Sequence, residues 1–133
     1  MAEVGQWLME AETARREGRL KDSAELYERA AMQETDALRA EHARRHAAEI
    51  WIKNGQVNEG RAAIAQVMEV YRGKGVSGLE LANALRVQGL AAEAAGALGE
   101  ACAAWSEAGK LYETAGVAAG VAEAKRRVAK LSA

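Results

Sequence analysis

The chain of 133 residues has no proline, no phenylalanine and one cysteine. Without proline, no position inside a helix loses its backbone donor or suffers the ring clash that breaks helices. The lone thiol, Cys102, excludes an internal disulfide and a multi-cysteine zinc site, and it suits a reducing compartment. Aromatic residues make up only 5%, so the alternating β-branched and aromatic runs from which strands are built are missing. Neither sign of charge dominates, with 18 Lys and Arg against 19 Asp and Glu. A formal net charge of -1 gives no long-range positive field to draw nucleic acid or an anionic membrane. Long hydrophobic runs are absent too. Glu3, Glu10 and Glu12 interrupt the N-terminal segment short of signal-peptide length, and nothing reaches the ~18 apolar residues of a membrane span. The expectation is a soluble cytoplasmic protein with no nucleic-acid and no membrane partner.

What is present is helix-forming. Half of the residues are hydrophobic, carried mainly by Ala, Leu and Val, and alanine orders into a helix with no side-chain entropy to lose. The fold class expected is all-α. The length suits one domain, residues 1–133.

Self-similarity organises the chain. The segments GRLKDSAELYERAA from Gly18, GQVNEGRAAIAQVM from Gly55 and GALGEACAAWSEAG from Gly96 align without gaps. Each glycine is followed by an aliphatic residue (Leu20, Val57, Leu98) and then a small one (Ser23, Gly60, Ala101). A large apolar residue comes next (Tyr27, Ile64, Trp105), then a small or short one (Ala30, Val67, Ala108). These offsets trace one stripe of an α-helix, and the glycine supplies the left-handed turn that ends the helix before it. Upstream, Ala11, Ala48 and Gly89 are small, with Ala14, Trp51 and Ala92 three residues later. Small residues let two helices approach while a bulky residue of the other helix fills the space. Each unit is therefore a helix pair, with repeats at 4–35, 37–73 and 78–115. A last helix over 117–131 has Val117, Val121, Ala124, Val128 and Leu131 as its apolar stripe, and Lys125, Arg126, Arg127 and Lys130 opposite.

Several motifs invite chemistry and have plainer explanations. GKGVSG at 73–78 matches G-x-G-x-x-G, yet the preceding RAAIAQVMEVYR is helical in period, so a loop is expected rather than a dinucleotide site. His42, His46 and Glu49 share one helix face, the geometry of a metal-binding helical bundle, but Arg44 and Arg45 beside them oppose a divalent cation. Cys102 reads as a small core residue. Trp7, Trp51, Trp105 and Tyr27 fall on repeat-core positions, and Tyr71 and Tyr112 correspond near the ends of second helices. Pairs such as Glu12 with Arg16 and Glu41 with Arg45 describe solvated faces. Nothing points to catalysis, and no cofactor is expected.

The order small residue, glycine turn, small residue, aromatic, alanine, with Trp7 ahead of it, resembles the tetratricopeptide repeat. It is similar to a long-repeat variant, since the glycines stand 37 and 41 residues apart rather than the family's ~34. The resemblance implies a right-handed superhelix of three helix-turn-helix repeats plus a capping helix, seven helices in all. It also implies a scaffold or interaction module whose first helices line a concave groove for a peptide or helix of a partner protein. Carried over by alignment, the groove positions are Leu8, Glu12 and Arg15, then His42, Arg45, Glu49, Ile52 and Lys53, then Asn83, Arg86, Leu90 and Glu93. The positions of the family's carboxylate clamp hold Leu8, Glu12, His46, Asn83 and Val87, so that clamp is not implied. A partner segment with acidic and aliphatic residues, held by Arg45, Lys53 and Arg86, is the expectation. The alternatives are a homodimer formed through exposed end faces and, less favoured, a metal site at His42 and His46.

Overall fold

The helix-forming stretches between the glycines fold as helices throughout. In the computed structural model, which describes residues 3–133, there are seven α-helices and no strand among the described residues. They are α1 (Val4–Arg16), α2 (Leu20–Gln33), α3 (Ala37–Lys53), α4 (Val57–Gly73), α5 (Gly78–Ala94), α6 (Leu98–Ala115) and α7 (Ala118–Leu131). The chain divides into two compact units, Met1–Val67 and Met68–Ala133, and α4 runs from the first into the second.

The turns repeat one hydrogen-bonding scheme. Gly18, Gly55 and Gly96 have φ of 79°, 82° and 76°, the left-handed conformation that the alignment requires of them. The residue after each glycine donates its N–H back five residues: Arg19 to Ala14 O, Gln56 to Trp51 O and Ala97 to Ala92 O, each at 2.9 Å. The glycines themselves donate to Arg15, Ile52 and Glu93. This pair of bonds satisfies carbonyls that a helix end would otherwise leave open. Gly75 and Gly116 close α4 and α6 in the same way, through Val76 to Tyr71 O and Val117 to Tyr112 O. At Gly55 a Cβ would meet nothing within 4 Å, so Gly55→Ala carries backbone strain alone. It is expected to lower stability by about 1 kcal/mol, and Gly55→Asn by less, in urea titrations of the two variants.

In the first unit the core is Ala11, Ala24, Tyr27, Ala47, Ile50 and Trp51, with Leu8, Leu20 and Leu26 packed against it. The small residues act as the spacing predicts. Buried Ser23 donates its Oγ proton to Ala11 O at 2.7 Å, and buried Gly60 brings α4 so close to α3 that a Cβ there would stand 2.6 Å from Ile52 Cγ1. In the second unit the core gathers Ala92, Ala101, Trp105 and Ala124, with Leu90, Ala97, Val128 and Leu131 against it. Gly89 lies under the Trp105 ring, where a Cβ would come within 2.7 Å of Nε1.

Three details differ from expectation. Cys102 is only half-buried, because its neighbour Ala101 takes the inward position. On α7 only Ala124 is buried; Val117, Val121, Val128 and Leu131 are half-exposed. Trp7 is likewise half-buried, with the Arg29 guanidinium 5.4 Å above its ring.

Candidate functional site

In the first unit, α1, α2 and α3 leave a cleft of about 310 Å³. Val4 and Leu8 line it from α1, Tyr27 and Ala30 from α2, and Arg39, His42, Ala43 and His46 from α3, with Glu34 at the end of α2. The α3 residues recur at the i, i+3, i+4, i+7 spacing of a single helix face. That face is set where the helix starts, since Asp36 Oδ1 accepts from Arg39 N at 3.0 Å and caps the first turn.

Aromatic contacts build the floor. The Tyr27 and His46 rings stack at 5.3 Å with 20° between their planes, and His42 meets His46 edge-on at 5.0 Å. Burial, then the charge of Arg45 and the neighbouring His42, holds the His46 pKa down at about 4, so this imidazole is neutral at pH 7. Tyr27 Oη donates to Glu12 Oε2 at 3.2 Å. Glu12 is also gripped by the Arg15 guanidinium, chiefly by hydrogen bonding, which keeps its pKa near 2.

The sequence-derived groove residues separate into two sets. In the first unit, Leu8 and His42 line the cleft, while Glu12 and Arg15 pair with each other behind it. Arg45 is only 8% exposed; its Nη2 lies 3.4 Å from His42 Nδ1 and its Nε has no hydrogen-bond partner. Glu49 and Lys53 form an ion pair at 3.6 Å with the lysine well exposed, and Ile52 packs against Gly60. In the second unit the four residues are engaged with α6 and α7. Asn83 Oδ1 accepts from Tyr112 Oη at 2.7 Å, and Arg86 Nε donates to Glu123 Oε1 at 2.7 Å. Leu90 packs on the Trp105 cluster, and Glu93 accepts from Trp105 Nε1 at 2.6 Å and from Arg127 Nη1 at 3.1 Å. Of the residues expected to hold an acidic partner, Arg45 is buried and Arg86 is in an ion pair, leaving Lys53 as the exposed cation.

The cleft has lining residues that the alignment did not select. Arg39, Ala43 and His46 share the face of His42, a signal present in the spacing. Val4 lies one turn before Leu8; Glu34 follows the last turn of α2 and carries no comparable signal.

No family model, curated protein or solved structure matches this chain. The site therefore stands on its own geometry. Among the described residues, no three His, Cys, Asp or Glu side chains are grouped to hold a metal ion, and no helix is long and apolar enough to cross a membrane. His46 packs between His42 and Tyr27 instead of converging with His42 and Glu49, and Glu49 pairs with Lys53. GKGVSG forms the turn from α4 to α5, with Gly75 and Gly78 at positive φ and no strand before it among the described residues.

Proposed function

We propose that this chain is a tetratricopeptide-like interaction module, acting by holding a segment of a partner protein rather than by catalysis. The helix pairs, the glycine turns bonded in one register at Ala14, Trp51 and Ala92, and the small-against-large packing support the family reading, of which the right-handed superhelix is part. The observation that carries the binding reading is the cleft of the first unit. Its walls are the first helices of two successive helix pairs, its floor is apolar and aromatic, and the exposed Arg39 stands at its edge. An aliphatic side chain fits against Val4, Leu8 and Ala43, and an adjacent carboxylate reaches Arg39. Clefts of about 300 Å³ are at the small end for ligand pockets, which suits one or two side chains of an extended segment.

The test is selection from a random peptide library displayed on phage, with the intact protein as bait. Selected peptides are expected to carry Asp or Glu beside Leu, Ile or Val, and to bind Arg39→Glu at least about tenfold more weakly. Circular dichroism of that variant should be unchanged, because the α3 cap uses the Arg39 backbone and not its side chain. Selection that enriches no sequence, or peptides that bind Arg39→Glu as well as the parent, would overturn the assignment.

A further inference from the structure

An open groove of the second unit plays no part in that binding reading. It lies between α6 and α7, about 550 Å³ in volume, over Gly109, Val121, Ala124 and Val128. In the first unit α4 packs on α3 at Gly60, where a Cβ would meet Ile52 and the Ala48 carbonyl. Among the described residues no helix follows α7 to pack on it in this way, and its valines stay half-exposed. The groove is edged by Lys110 on α6 and Lys125 on α7, with Glu113 the one carboxylate in its lining. Its charge continues along α7, which has four cations against one carboxylate.

The opposite chemistry is found on α1 and α2. From Glu3 to Glu34 there are eight carboxylates against five cations. Glu3, Trp7 and Glu10 recur at the i, i+4, i+7 spacing of one α1 stripe. Arg29, over the Trp7 ring, ties that stripe to an α2 groove lined also by Asp22, Glu25, Leu26 and Arg19, the last of which pairs with Asp22 and leaves Glu25 as the outer carboxylate. Glu3, Glu10, Asp22 and Glu25 are all exposed, around half-buried Trp7 and Leu26.

We propose that the α6–α7 groove seats the α1–α2 face of a second copy of this chain, an apolar contact flanked by Lys110 and Lys125 on one copy and by Glu10 and Glu25 on the other. A second α7 does not suit the groove, because its Lys125, Arg126 and Lys130 would meet like charge. The two surfaces differ, so the contact is heterologous and adds copies head to tail instead of closing on a two-fold axis.

The experiment is sedimentation velocity on the full chain over a wide concentration range, at about 0.05 M and about 0.5 M salt. The parent is expected to associate beyond the dimer at low salt and at least about tenfold more weakly at high salt. Lys110→Glu with Lys125→Glu should be monomeric, and so should Glu10→Lys with Glu25→Lys. An equimolar mixture of the two variants should associate again, since each reversed surface then meets its complement. A parent that stays monomeric throughout, a closed dimer, or a mixture that does not reassemble overturns the proposal. Circular dichroism of each variant separates lost contact from lost fold.

Discussion

Trp105→Ala is expected to remove about 3–5 kcal/mol of stability, the range for deleting a large buried aromatic side chain. Trp105 is fully buried, packs on the bare backbone of Gly89 and touches the cluster of Ala92, Ala101 and Ala124. Those neighbours are too small and too fixed on their helices to collapse into the space, which places the cost toward the upper part of that range. A second contribution is polar. The indole Nε1 donates to Glu93 Oε2 at 2.6 Å, and the side chain of Glu93 keeps Arg127 as its other partner. Trp105→Phe preserves much of the apolar contact and removes the donor, so a cost of about 1–3 kcal/mol is expected. Urea unfolding followed by far-ultraviolet circular dichroism checks both values. A loss under about 1 kcal/mol for Trp105→Ala would show that α5 and α6 are not held by this ring.

The second large effect is a dependence on pH set by His46. Its folded pKa of about 4 lies below the ordinary 6.5 of a histidine, with burial the leading cause and Arg45 and His42 adding to it. Glu49 and Glu12 act in the opposite sense and do not reverse the shift. In the unfolded chain His46 takes up a proton as pH falls through 6.5, while the folded chain resists until about 4. The unfolded state thus binds more protons across that window, and stability falls as pH drops from 6.5 to 4. Allowing for the partial exposure of the ring, the loss is on the order of 2 kcal/mol. Glu12 acts in a lower window. Its pKa near 2 means that its contribution, present above the unfolded value of 4.5, is lost as pH falls through 2. The check is a series of thermal melts between pH 7 and 4 on the parent and on His46→Gln. The variant should show a flatter profile in that window, and parallel profiles would remove His46 as the cause.

The parts of this structure legible in the sequence are those decided within a few residues. A glycine at positive φ ends a helix wherever it stands, so Gly18, Gly55 and Gly96 could be read as turns from their context alone. The match of Gly89 with Trp105 was implicit in the alternation of small and large positions, because close helix approach needs both. Arg86 and Glu93 were not legible in this way. Their partners Glu123 and Arg127 lie 37 and 34 residues away on α7, and an alignment of first helices records only that such positions point outward. Arg45 is a similar case: it shares α3 with Arg44 and Lys53, yet it is the one of the three that is buried. The cleft was half legible, through Leu8 and His42. Its aromatic floor depends on Tyr27 of α2 meeting His46 of α3, a pairing that neither helix announces by itself.

The repeated glycine turns also bear on how the chain reaches this structure. Those after α1, α5 and α6 bend the backbone within about three residues, and residues 34–36 join α2 to α3 as briefly without a glycine, so the packed partners α1 with α2, α2 with α3, α5 with α6 and α6 with α7 are neighbours along the chain. Bringing such neighbours together closes only short loops, and the entropy spent before contacts form is correspondingly small. The barrier to folding within each unit is then set by docking one helix on the next rather than by a search for distant partners, which places the chain with the rapidly folding, low-contact-order helical proteins.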